Sequence, residues 1–232
     1  MHLVLRKIIY NRFEKKWIAD LPRVNYDGRI VVVITSRQAD SAVEYLLSQP
    51  ILGVDTETRP SFSKRQHYKC SLLQVATHQM CFLFRLNLTG LTPSIVRLLE
   101  DTTVPKIGLS WHDDLHSLHQ LGDFTPGYFI DLPDHMREIG IEDMSLVKLY
   151  ANLFGERISK TERLSNWERD ILKPAQQTYA AIDAWACIRL YEELQRLQQT
   201  GDFVLHDLET ELEIEEEFKL YEQLATQEGK GR

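Results

Sequence analysis

Six short runs rich in β-branched and aromatic residues, RIVVVIT, ILGVDTET, CSLLQVAT, MCFLFRL, KIGLS and YFIDL, alternate along the chain with stretches of helical periodicity. That alternation predicts an α/β sheet with helices on its faces. Helices are expected over 39 to 47, closed by Pro50, over 93 to 99 and over 112 to 121. The clearest runs from 174 to about 199, with proline at its start and Gly201 at its end. Residues 132 to 199 show no convincing long strand and should be helical, apart from a polar loop at 155 to 161. Three segments follow: an N-terminal arm over 1–28, an α/β domain over 29–200 and an acidic extension over 201–232. The arm mixes apolar and basic residues at roughly helical spacing. The extension places Leu205, Leu208, Leu212, Phe218 and Tyr221 at helical spacing and is expected to pack on the body or on a partner.

At 232 residues, 43% apolar and 26% charged, the chain can bury a sizeable core, which argues against disorder or a fibre. Charges interrupt the apolar residues of MHLVLRKIIYNRFEKKW, so no signal peptide is expected, and no run reaches membrane-spanning length. Cys70, Cys81 and Cys187 are too few and too scattered for a disulfide framework or a cysteine zinc site. A cytoplasmic protein with no membrane partner is expected. The net charge of -7 sits in the tail, where ten acids oppose three bases from Gly201 onward; the first two hundred residues balance. Without the four acids singled out below they carry four net positive charges, which permits a phosphodiester partner.

Those acids are placed oddly for a core. In ILGVDTET an apolar strand runs into Asp55 and Glu57, two apart and therefore on one face. Two adjacent carboxylates at the end of a buried strand repel unless a cation or hydrogen bonds compensate them; the alternative is an exposed strand end with solvated acids. At ~100° per residue, Trp111, Leu115, Leu118 and Leu121 define a buried helix face that includes Asp114 and nearly opposes Asp113. In QTYAAIDAWACIRLYEEL, Tyr179 and Asp183 lie one turn apart, among small residues that would let the helix lie close against the sheet. Four such carboxylates suit two divalent cations, Mg²⁺ or Mn²⁺, held ~4 Å apart for an in-line phosphoryl displacement.

GVDTETRP, KIGLSWHDDL and YAAID, in this order, resemble the three motifs of the DEDD exonucleases, specifically the tyrosine variant that includes ribonuclease D and the Werner syndrome exonuclease domain. CSLLQVAT resembles the strand after the first motif, and RISKTERLSNW the segment leading into the third. Each motif alone is weakly specific; their order and spacing together are strong. The resemblance covers about residues 29 to 197 and implies a ribonuclease H-like fold with a mixed five-stranded sheet. It also implies hydrolysis from a free 3' end, in a single strand or a recessed end, with release of nucleoside monophosphates. Residue by residue, it implies that Asp55 bridges both metals, that Glu57 and Asp183 complete the site for the water-activating one and that Asp114 supports the second. Tyr179 would orient the attacking water, since a general base would need a strongly lowered pKa. Asn166 stands before Trp167 where relatives often carry aspartate, outside the metal set.

The segment RPSFSKRQHYK interleaves Arg59, Lys64, Arg65 and Lys69 with Phe62, His67 and Tyr68, which makes it a candidate substrate wall or else a solvated basic loop. Lys160 and Arg163 offer further phosphate contacts. His112, His116 and His119 share one helix side, but the absence of a further ligand set in suitable sequence context argues against zinc. The competing function is a catalytically silent nucleic-acid-binding or scaffold protein of the same fold; the intact carboxylate set with Tyr179 favours turnover.

Overall fold

The computed structural model describes residues 6–63 and 66–208. It begins with β1 (Lys7–Tyr10) and α1 (Lys15–Ile18), then β2 (Arg29–Val33) and α2 (Ser36–Leu46). Next come β3 (Leu52–Thr58), β4 (Cys70–Ala76), β5 (Met80–Phe84), α3 (Leu86–Thr89) and α4 (Pro93–Glu100). The second half comprises β6 (Lys106–Gly108), α5 (Trp111–His119), β7 (Phe129–Asp131), α6 (Leu132–Glu138), α7 (Leu146–Phe154), α8 (Pro174–Thr200) and β8 (Phe203–His206). Among the described residues no helix is long and apolar enough to cross a membrane.

The main sheet is mixed, in the order β2-β5-β4-β3-β6-β7. Strands β3, β4 and β5 pair antiparallel, and the remaining pairings are parallel. It has six strands, matching the six runs read from the sequence, where the resemblance implied five; β2 and β7 are its edges, paired in parallel with β5 and β6. Period-2 alternation divides the core. Leu73 and Val75 face the cluster built with α2 and α4, whereas Leu72 and Ala76 face Ala180, Ala181 and Ala184 of α8.

Helix α2 starts three residues before its expected position. The Thr35 side chain accepts from the Gln38 amide and the Gln38 side chain returns to the Thr35 backbone, a reciprocal cap that satisfies otherwise orphaned donors. Helix α8 follows its boundary signals: Pro174 opens it and Gly201, at φ 64, closes it with its amide on the Leu197 carbonyl.

Within the described residues the arm keeps a short helix, α1, but both it and the start of the extension also contribute a strand where helical spacing was expected. Strand β1 pairs in parallel with β8, Lys7 opposite Phe203 and Tyr10 opposite His206. The arm and the start of the extension therefore form one two-stranded sheet. Asn152 fixes it to α7 by accepting from the Tyr10 amide at 3.0 Å and donating to the Tyr10 carbonyl at 2.7 Å. Fully buried Ile9 joins the cluster of α6, α7 and α8. A four-residue strand is too short to reveal its period, and long-range pairing overrides the weak helical spacing. Leu212, Phe218 and Tyr221 lie outside the described residues.

Candidate metal centre

The close approach of α8 to β3 assembles the site. A methyl group on Gly53 would stand 2.0 Å from the Ala184 carbonyl oxygen, so only glycine lets the helix backbone lie this near the strand. Asp55 and Glu57 share the Gly53 face by strand alternation, and Asp183 directly precedes Ala184. Ligand oxygens of Asp55, Glu57 and Asp183 consequently lie within 4.8 Å of one another, the one such trio among the described residues.

Asp114 stands apart from the trio. Thr56, between the two acids, points to the other side of β3, and its hydroxyl donates to Asp114 Oδ1. This places Asp114 near enough to raise the pKa of both Asp55 and Glu57. Asp113 is exposed. Helix α5 is oriented by a strained corner at Ser110, a left-handed residue at φ 61 and ψ 50. The Ser110 amide donates to Asp131 Oδ1 at 2.6 Å, so β7 restrains the start of the helix that presents Asp114.

Withdrawal from water and mutual repulsion hold these acids toward their neutral forms. Burial, then Asp183 and Asp114, push Asp55 well above the usual carboxylate range. Glu57 is pushed up to about 10, chiefly by burial and then by Asp55, with Arg163 opposing. Asp183 rises to about 7 through burial, opposed by the Tyr179 hydroxyl and by Lys160. Asp114 rises to about 6 by burial, moderated by Thr56.

Two features suit a divalent cation. Asp183 is 6% exposed, yet its Oδ1 has no hydrogen-bond partner among the described residues. Gln74, facing Asp55 across the β3–β4 ladder, is fully buried with both amide atoms unpartnered. A hard divalent ion with oxygen ligands and coordinated water would compensate such groups, so the donor set fits one.

Tyr179 is drawn the opposite way from a base: burial and the charges of Asp183 and Glu57 raise its pKa far above that of a free phenol. It lies with Asp183, Lys160 and Arg163 in a cleft of about 310 Å³. The loop before α8 is tied down by Arg85, almost wholly buried, whose guanidinium donates to the carbonyls of Asp170 at 3.3 Å and Arg169 at 2.5 Å. Exposed Asn166 bonds to its own neighbours, accepting from the Glu168 amide at 3.0 Å and, through its carbonyl, from Gln176 at 3.2 Å.

Arg59 is already engaged, with Glu168 at 3.3 Å and over the Tyr68 ring at 4.6 Å. Lys69 and His67 are exposed, and Phe62 is 87% exposed; Lys64 and Arg65 lie outside the described residues. His112, His116 and His119 are exposed, and His119 stacks on Phe124 with centroids 4.1 Å apart. Thr56, Gly53, Gln74 and Arg85 are the contributors that sequence reasoning missed. Alternation in DTET could have identified Thr56, but the other three act through neighbours distant in sequence.

Residues 30–199 match the 3'-5' exonuclease family. The chain belongs to that family. Mouse Bifunctional 3'-5' exonuclease/ATP-dependent helicase WRN is 27% identical over 84% of this chain and 15% of its own length. The Exonuclease 3'-5' domain-containing protein 2 of Drosophila melanogaster is 30% identical over 75% of this chain and 32% of its own length. This exonuclease-family chain thus spans less than a third of each. The crystal structure of Escherichia coli RNase D, an exoribonuclease involved in structured RNA processing, superposes with a TM-score of 0.66 at 18% identity. That superposition covers 75% of this chain and 46% of RNase D and shows the α/β ribonuclease H-like fold.

Proposed function

We propose that this chain removes nucleotides one at a time from the 3' end of a single-stranded or recessed nucleic acid, as a tyrosine-type DEDD exonuclease releasing nucleoside monophosphates. The observation that carries the reading is the trio Asp55, Glu57 and Asp183, with a buried carboxylate oxygen lacking a partner beside Tyr179. In this proposal the trio holds divalent cations, Mg²⁺ or Mn²⁺, and Asp114, oriented by Thr56, supports the second position. When bound, two such ions activate water and stabilise the leaving oxygen of an in-line displacement.

The remaining work falls to the protein's own groups. Tyr179 stays protonated through the neutral range, so its hydroxyl positions the attacking water and takes no proton from it. Lys160 and Arg163, in the same cleft, neutralise the terminal phosphates. Exposed Lys69 and Phe62 and the nearby Tyr68 are offered to the phosphates and bases of the strand, and Arg59 braces their segment through Glu168. A reducing, cytoplasmic setting belongs to the same proposal, supported by three cysteines that are all free and buried.

Incubation of the pure protein with 5'-labelled single-stranded DNA and RNA in Mg²⁺ or Mn²⁺ tests it. Metal-dependent ladders that shorten from the 3' end are expected on at least one substrate. No shortening on either, with binding retained, would leave a silent nucleic-acid binder of the same fold.

A further inference from the structure

We propose that the N-terminal arm builds a second, basic subsite for the strand lying 5' of the nucleotide being removed, a step that rests on the exonuclease reading. A groove of about 520 Å³, in the size range of ligand sites, runs between α1, the Arg23 segment and loop 157–161. It shares Val147 and Lys160 with the cleft that contains Tyr179 and Asp183, so the two adjoin. Among the described residues, Lys15, Arg23, Arg157 and Lys160 line the groove and no acidic side chain does. None of these four is ion-paired among the described residues. The groove thus sets positive charge that no described acid pairs beside an acidic centre, as a polyanion held by its end requires.

The arm groove is also preformed. Arg23 and Arg157 form a parallel β-bridge, the Val24 amide donates to the Arg157 carbonyl at 3.1 Å and the Arg157 amide donates to Pro22 at 2.8 Å. Arg157 Nε donates to the Leu21 carbonyl at 2.8 Å, which fixes its guanidinium at the groove wall. Between the cations, Ile18, Ala19 and Ile158 supply an apolar floor suited to sugar and base faces. Little ordering is therefore left to occur when a strand binds.

The test compares Asp183→Asn with Asp183→Asn carrying Lys15→Ala and Arg23→Ala, so that the strand is not consumed. Both arm residues are exposed, and circular dichroism checks the fold. Fluorescence anisotropy is read with 5'-labelled oligo-dT and oligo-U of two and eight nucleotides over a range of salt. The expected result is octamer binding weakened about tenfold, with a log-log salt slope shallower by about 1.4, two contacts at about 0.7 each. Dinucleotide affinity should move less than twofold. A single Lys15→Glu variant should weaken the octamer in the same direction. Unchanged octamer affinity and slope, equal weakening at both lengths, or a parent protein that binds octamer no tighter than dinucleotide would each overturn the subsite. If the native protein fails to shorten any strand while length-dependent binding still needs Lys15 and Arg23, the exonuclease reading falls and the groove stands.

Discussion

Asp183 shows how a ligand position is stored in a fold without its ligand. Its carboxyl rises to about 7 through burial, so in the metal-free protein it binds protons more tightly folded than unfolded. The stabilising contribution is therefore full below about pH 4 and is lost as pH rises through about 7. Replacing it by asparagine removes that loss. At pH 8 in EDTA, Asp183→Asn should be more stable than the native protein, and the gap should narrow at pH 5 and close only near pH 4. Chemical denaturation at these pH values measures it; a variant less stable at pH 8 would contradict the strained, protonatable site. The same variant should lose cleavage at every Mg²⁺ concentration, and isothermal titration should show weakened metal binding in step.

Thr56 and Asp114 allow a second residue-scale prediction. Thr56→Val deletes the hydroxyl that orients Asp114 while preserving shape, and should lower kcat by about ten- to a hundredfold, as loss of an outer-shell partner does. Asp114→Ala should be more damaging still, whereas exposed Asp113→Ala should stay near the native rate. Equal losses at 113 and 114, with both variants folded, would contradict the assignment.

At the scale of elements, the site depends on how close a helix comes to a strand. The α8 backbone rests on β3 at Gly53, and the alanines at 180, 181 and 184 leave no side chain large enough to separate them. Gly53→Ala forces the two apart. It should cost about 1 to 3 kcal/mol in denaturant unfolding and also lower metal affinity, because the trio draws its ligands from both elements. Native stability with native metal affinity would show that the contact is dispensable. The corner at Ser110 does the corresponding job for α5, holding a left-handed residue against Asp131 at the foot of the helix that carries Asp114.

At the scale of the whole molecule, the arm is continuous with the body. Its strand closes on β8, beyond the end of α8, so segments nearly two hundred residues apart brace each other. Lys7 pairs with Glu193 of α8, and Ile9 is fully buried among α6, α7 and α8. Ile9→Ala should therefore cost about 2 to 4 kcal/mol and lower the single cooperative transition of the protein. A separate early transition, with the main one unmoved, would mean that the arm folds independently.

The chain's own residues determined the alternation of the sheet and both boundaries of α8. They also placed Asp55 and Glu57 on one face, because alternation, capping and helix-breaking act within a few residues and are written locally. The same local geometry separates Asp114 from Asp113. Only the tertiary structure decided that Asp183 meets Asp55 and Glu57 while Asp114 answers to Thr56, since those distances follow from how α8 and α5 pack on opposite sides of β3. It also made residues 7–10 of the arm a strand, engaged Arg59 with Glu168 and set the arm cations beside the cleft. Each outcome is a contact between residues far apart in the chain, whose energy comes from partners that no local pattern of residues encodes.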